Sequence, residues 1–306
     1  MNTLKKTTAL LLTAVLLMAL AACGGGGAKE GTITIYDGQF SEMHLVHQMV
    51  KLLVEEHTGV KVNILDEMAP VNAYNEVLKG NADLTNSYDG TLLTTYLHLD
   101  PSDVPAGTSL YDFANQQAAD KGVRLLEKLG INNTYTIGVS QELAAQHNLN
   151  AISDLIPLAP QLVFGAEHDF FTQEGSAKYD PLVAFYGLDF KEAKQVDLSL
   201  KYSAFESGNL DVMVVYATDG LNRRAGLKVL EDDRGFFPEY NGALLVRDDL
   251  FDRLGDAAPN LEEVLNRLGG VISDEEMVDM TYAVDVDGRS AQEVAKEFLQ
   301  GKGLIG

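Results

Sequence analysis

Four tyrosines, Tyr88, Tyr135, Tyr216 and Tyr240, fall where a predicted strand meets a loop or near the junction of the two halves of the chain. Loops at strand ends are where α/β proteins build their sites. A phenol ring has an electron-rich face. Several such rings converging on one point make a box for a quaternary ammonium ion, which has no proton to donate and is recognised by ring quadrupoles and shape. Each desolvated contact of this kind is worth about 0.5 to 2 kcal/mol. Spacing alone leaves a second reading open, in which each ring simply packs and keeps its hydroxyl wet. For any one tyrosine taken singly, packing is the better reading.

Other chemistry is thinly represented. There is no Gly-x-Ser-x-Gly elbow, no phosphate-binding Gly-Lys-Ser/Thr loop, no His-Glu-x-x-His and no dinucleotide glycine fingerprint. His44 and His47 stand three apart on a predicted helix and would need a third ligand, such as His98 or His168, to hold a metal. Two histidines without a placed third read better as packing or surface. Glu231-Asp232-Asp233 and Asp285-Val286-Asp287-Gly288 resemble pieces of calcium loops but lack the full ligand series, so both read as solvated turns. Adjacent side chains such as Asp232 and Asp233 diverge, which argues against a paired-carboxylate hydrolase. The expectation is a protein without catalytic residues, cofactor or metal.

The elements that would position the tyrosines alternate. Thr32 to Tyr36 reads as a strand broken by Asp37-Gly38, and an amphipathic helix runs from Ser41 to about His57. Val60 to Ile64 reads as a second strand and Val71 to Lys79 as a second helix; Ala82-Asp83-Leu84 follows, then Asn86 to Thr91 as a strand end running into a polar loop. A new unit begins near Tyr135-Thr136-Ile137-Gly138-Val139, with later strands at Leu162 to Gly165 and Leu210 to Tyr216. Helical periodicity returns from Leu261 onward. This alternation predicts an α/β fold.

The 306 residues carry 45 acidic against 23 basic side chains, a balance that disfavours nucleic acid and anionic lipid as partners. Lys5 and Lys6, an apolar run to Leu20 and Ala21-Ala22 lead to Cys23, the only cysteine, followed by Gly24 to Gly27. That layout is an export signal, and the cysteine resembles the lipobox of bacterial lipoproteins. The expectation is a signal peptide over 1–22 and a lipid-anchored glycine tether over 23–30. Disulfide stapling is excluded.

Several stretches are similar to the substrate-binding proteins of ABC transporters for osmoprotectants, which capture glycine betaine, carnitine, choline and related compounds. They are Ala82-Asp83-Leu84 through Tyr88-Asp89-Gly90-Thr91, Asp197-Leu198 through Lys201-Tyr202-Ser203-Ala204, Ser207 to Val212, Tyr216-Ala217-Thr218-Asp219-Gly220, and Leu230 through Tyr240. The similarity runs from about Thr32 to the C-terminus. It implies a two-lobed periplasmic-binding-protein fold of type II with the ligand in the interlobe cleft. Lobe one would span 31–132 plus 241–306, and lobe two 133–240. It further implies an aromatic box of Tyr88, Tyr135, Tyr216 and Tyr240, a backbone carbonyl of Asn133 against the cation, and Gln39 and Thr91 at the ligand's polar tail. Where many relatives have Phe-x-x-Arg, this chain has Phe170-Phe171-Thr172-Gln173. Gln173 cannot offer the bidentate fork of an arginine, so the tail pocket has no evident cation and both betaine and choline remain open as ligands. The partners implied are a membrane permease with a separate ATPase, and the place implied is the outer face of the cell membrane. Other readings are a binder of another methylated amine or a metal-binding lipoprotein.

Overall fold

A computed structural model of the chain describes residues 31–171, 177–197 and 200–306. Cys23 and the leader and tether expected over 1–30 fall outside these residues, as does Gln173. The described chain opens with β1 (Thr32–Asp37), α1 (Ser41–His57) and β2 (Lys61–Glu67). Buried Ile33 and Ile35 alternate along β1 with half-exposed neighbours, and β1 pairs in parallel with β2 through Ile33 opposite Val62 and Ile35 opposite Ile64. The connecting helix α1 buries Leu45, Val46, Met49, Val50, Leu53 and Val54, the three-and-four spacing of one helical face. The next helix, α2 (Pro70–Lys79), has proline in its first turn and stops at Gly80, whose φ of +80° suits glycine. It leads to β3 (Leu84–Tyr88), in which every residue is buried. After α3 (Leu110–Ala118) comes the ten-residue β4 (Val123–Asn132).

The chain then crosses into a second body with β5 (Tyr135–Ser140), α4 (Gln141–His147), β6 (Val163–Ala166), α5 (Tyr179–Tyr186), β7 (Glu192–Gln195), α6 (Lys201–Glu206), β8 (Val212–Tyr216) and β9 (Leu227–Leu230). Its five strands form one sheet in the order β7-β6-β8-β5-β9. The two faces of this sheet carry separate cores: Val212 and Val214 of β8 join one, Met213 and Val215 the other. That split is the period-two signature of a strand buried on both sides.

The return crossing leads into β10 (Asn241–Arg247), which inserts between β3 and β4 and is antiparallel to both. Leu244 and Val246 face the core under α1, while Ala243 and Leu245 face the core under α2. The chain finishes with α7 (Leu261–Asn266), α8 (Asp274–Asp285) and α9 (Ala291–Gly301), which pack on α1. Sequence reading located β1, α1, β2 and α2 closely and missed β4 and β10. The helical periodicity expected from Leu261 onward is met by α7, α8 and α9, the first of which ends at Asn266.

The two crossings lie side by side. The Asn133 amide donates to the Tyr240 carbonyl at 3.0 Å, the Tyr240 amide donates to Asn132 Oδ1 at 2.7 Å, and the Thr134 hydroxyl donates to the Pro238 carbonyl at 2.7 Å. Asp89, fully buried, clamps the second crossing from below. Its carboxylate accepts from the Asn241 amide at 2.8 Å and from Asn241 Nδ2 at 2.7 Å. Among the described residues no helix is long and apolar enough to cross a membrane.

Candidate functional site

The four tyrosines form two ring pairs. Tyr135 and Tyr216 sit directly opposite each other across the antiparallel β5–β8 ladder. Their rings stack with centroids 5.1 Å apart and 29° between planes, and their hydroxyls are 3.5 Å apart. Phe170 stands edge-on to Tyr135 at 5.4 Å, and Phe237 lies 6.4 Å away. Cross-strand aromatic pairs of this kind stabilise a sheet by roughly 0.2–1 kcal/mol, so the pair is held by the fold itself.

Tyr88 ends β3, and Tyr240 comes from the return crossing. Their rings lie 6.2 Å apart, tilted by 40°. Tyr240 fits there because residue 90 is glycine: a Cβ at Gly90 would lie 2.4 Å from Tyr240 Cε2. A cavity of about 520 Å³ is lined by Gly90, Tyr135 and Tyr240, with Thr94, His98 and Lys178 among its other walls. It therefore joins one ring from each pair. The larger open groove of about 590 Å³, between α3 and β4, touches none of the four.

Behind the Tyr88 ring is a group the sequence reading did not single out. Glu42, in the first turn of α1, is 3 % exposed. Its Oε1 accepts the Tyr88 hydroxyl, and its Oε2 accepts the Thr218 hydroxyl at 2.6 Å. Burial pushes the Glu42 carboxyl up to about 7, with the nearby Asp274 adding to the rise, while the hydrogen bonds from Thr218, Tyr88 and Asn133 oppose it. The Tyr88 phenol is driven well above its usual value by burial and by the Glu42 charge. Asn86, 2 % exposed, stands on the same strand face two residues before Tyr88, and its side chain reaches the Tyr88 hydroxyl.

Behind the other pair is a cation. Lys201, at the start of α6, is fully buried; its Nζ lies 3.1 Å from Glu167 Oε2 and 5.2 Å from the centre of the Tyr216 ring. Glu167, just past β6, keeps its second oxygen buried without a hydrogen bond. Lys201 lies in a stretch noted for family resemblance, yet a lone lysine ahead of a short helix carries no signal of burial.

Among the remaining predicted residues, Asn133 sits in the first crossing, half-buried, with its side chain against Glu42 and Tyr88. Thr91 is half-buried one residue past Gly90, and Gln39 is exposed on the bend after β1. His47 is fully buried between Asp37 Oδ1, 2.9 Å from its Nδ1, and the Asn86 amide, which donates to its Nε2 at 3.0 Å. Both ring nitrogens of His47 are thereby engaged. His44 Nε2 is 2.8 Å from the Gly38 carbonyl. Among the described residues no three His, Cys, Asp or Glu side chains are grouped to hold a metal ion. Asp232 accepts from the Tyr186 hydroxyl and from the Phe236 and Phe237 amides, at 3.0 and 2.7 Å for the amides. Asp233 accepts from Ser153 instead, at 2.6 Å to its hydroxyl. The adjacent acids diverge and order a turn.

Comparison with known proteins adds a family to this geometry. Residues 31–301 match the substrate-binding domain of ABC-type glycine betaine transport systems. The chain is 30 % identical over 281 residues to the carnitine transport binding protein OpuCC of Listeria monocytogenes serotype 1/2a (strain 10403S), covering 89 % of this chain and 87 % of that one. It is 32 % identical over 268 residues to the ergothioneine transport permease/ergothioneine binding protein EgtU of Helicobacter pylori (strain G27), covering 86 % of this chain. The chain spans 46 % of the length of that Helicobacter protein. The crystal structure of a glycine betaine/carnitine/choline ABC transporter superposes with a TM-score of 0.79 at 27 % identity, over 90 % of this chain and 99 % of the other. The architecture is the two-lobed α/β periplasmic-binding-protein fold of type II. The chain belongs to the family of substrate-binding domains of ABC-type glycine betaine transport systems.

Proposed function

We propose that this protein captures quaternary ammonium solutes, choline, glycine betaine and carnitine, in the cleft between its lobes and presents them to an ABC permease driven by a separate ATPase. The observation that carries the proposal is the pair of tyrosine pairs, one on the β5–β8 ladder and one at β3 and the return crossing, joined by one cavity. Aromatic faces with few donors suit a cation that cannot hydrogen-bond. Lobe one is taken as 31–132 plus 241–306 and lobe two as 133–240, a division supported by the separate sheets and cores on each side of the crossings. Tyr88, Tyr135, Tyr216 and Tyr240 hold the cation with the Asn133 carbonyl, while Gln39, Thr91 and Gln173 meet the tail. Cys23 carries the lipid that tethers the protein outside the membrane. The chain performs no reaction of its own.

The test is isothermal titration calorimetry on protein beginning at Gly24, against choline, glycine betaine, carnitine, ergothioneine and proline. Saturable heat with a quaternary ammonium compound and none with proline is the expected result. Heat with proline alone would sink the aromatic-box reading. Gln173→Arg is expected to shift preference toward carboxylate-bearing ligands relative to choline. An equal effect on choline and betaine would remove Gln173 from the tail pocket.

A further inference from the structure

Residues 218–223 of the second body lie against α8 of the first. The Gly220 amide donates to Thr281 Oγ1 at 3.0 Å, Thr281 Oγ1 is 3.1 Å from the Thr218 carbonyl, and Arg223 pairs with Asp279 at 2.6 Å while covering the Tyr282 ring at 4.8 Å. A Cβ at Gly220 would approach the Tyr282 backbone nitrogen to 2.3 Å, so this seam closes only with glycine at that position. At the seam Thr218 and Glu42 are both buried, 1 % and 3 % exposed, and they meet hydroxyl to carboxylate.

We propose that Glu42 is the closure latch of this protein: one carboxylate oxygen holds the Tyr88 wall of the box and the other holds Thr218 of the opposite lobe, so that shutting the cleft and setting the box are a single event. The inference rests on the solute-binding reading above. If the lobes part, Thr218 leaves and the second oxygen returns to water; if they shut, the carboxyl group is sealed in with hydroxyl and amide partners. Among the described residues, the groups that act on it most strongly include no Lys or Arg. Asp274 faces it from α8, Asn133 from the first crossing, Tyr88 from β3 and Thr218 from lobe two. Along its own helix, Ser41 is held by Asp285, His44 by the Gly38 carbonyl and His47 by Asp37, and beyond Thr218 the Asp219 carboxylate is held by the Tyr202 hydroxyl. A carboxyl sealed in this way keeps its proton up to about pH 7, whereas one in water releases it near 4.5. Closing therefore takes up a proton between those values, and the shut form gains as pH falls.

Choline does not titrate in this range, which makes it the probe. For the wild type, choline affinity is expected to rise about thirtyfold between pH 8.5 and 5.5, and Glu42→Gln is expected to flatten that profile. Thr218→Val, which removes one hydroxyl and keeps the shape, is expected to speed choline release in stopped-flow measurements by about tenfold, with association little changed. A wild-type profile that is flat, a profile that persists in Glu42→Gln, or release at the wild-type rate from Thr218→Val would each overturn the latch. The last of these stands even if Glu42→Gln does not fold. Wild-type protein that binds none of the quaternary ammonium probes would instead overturn the reading beneath it.

Discussion

The Tyr88–Tyr240 pair and the Tyr135–Tyr216 pair differ in what stands behind the rings. Tyr135 and Tyr216 are register partners in one sheet, stacked at 5.1 Å and backed by the buried Lys201–Glu167 pair. Tyr88 and Tyr240 come from a strand end and a crossing, lie 6.2 Å apart, and are backed by Glu42, an acid held by hydroxyl donors. The first half is therefore preorganised by backbone pairing. The second is assembled by hydrogen bonds that reach Thr218, next to β8. An ammonium already rests 5.2 Å from the Tyr216 ring, so that ring has less to offer a second cation. Under the proposed function, the Tyr135–Tyr216 half serves stability and the Tyr88–Tyr240 half ligand-linked motion.

The largest expected effect tests the stability side. Lys201→Met leaves Glu167 charged and buried without its partner, and should lower the unfolding free energy by about 3–5 kcal/mol in equilibrium denaturation. A loss below about 1 kcal/mol, the range of an exposed pair, would break the comparison at its first term. Next comes the pH dependence of stability. The Glu42 carboxyl stands at about 7 in the folded chain against 4.5 for an ordinary glutamate in water. Its contribution is therefore fully present below about pH 4.5 and is lost as pH rises through 7. Wild-type stability should fall over that window by about 3 kcal/mol more than that of Glu42→Gln. Burial raises the Asp89, Asp274 and Asp285 carboxyls in the same direction. Only the difference between the two proteins reports on Glu42, and identical curves would place it outside the buried seam.

Smaller effects sharpen the ligand side. Tyr240→Ala should weaken choline binding by at least tenfold, about 1.4 kcal/mol, and Tyr216→Ala by less, as read by calorimetry. The reverse order would mean that Lys201 does not compete for the Tyr216 face. Tyr88→Phe should cost a few-fold in affinity because Glu42 loses one of its two hydroxyl donors. Tyr135→Phe should cost almost nothing, since its hydroxyl only reaches Tyr216 at 3.5 Å. Equal losses from the two would erase the distinction between the halves.

Where local pattern decides structure, the sequence was readable. The alternation of Ile33 and Ile35, the helical face of α1, and the Pro70 start and Gly80 stop of α2 are local signals, and the elements fall where those signals lie. The segment Val123 to Asn132 carries apolar residues at both strand and helix spacings. Its extended form depends on β10, more than a hundred residues away, with register shifts on the way. The four tyrosines were singled out by resemblance, since a place at an element end or a crossing leaves packing the better reading for each ring alone. Glu42 was not: an acid in the first turn of an amphipathic helix reads as a favourable helix-end charge. Only the approach of Thr218, which is 176 residues distant, turns it into a sealed group. Lys201 was hidden for the same reason, its partner Glu167 lying 34 residues away.

The register of β5 against β8 has a consequence for how such a protein can change over generations. Side chains alternate faces at every residue of a strand, so inserting or deleting one residue inside β5 or β8 would turn Tyr135 or Tyr216 to the opposite face of the sheet. It would also bring a neighbour such as Thr136 or Val215 to the position facing the partner strand's tyrosine. Descendants of this chain can therefore retune that half by exchanging one side chain for another in place. Variation in length has to be absorbed by the turns between strands, where it leaves the pairing intact.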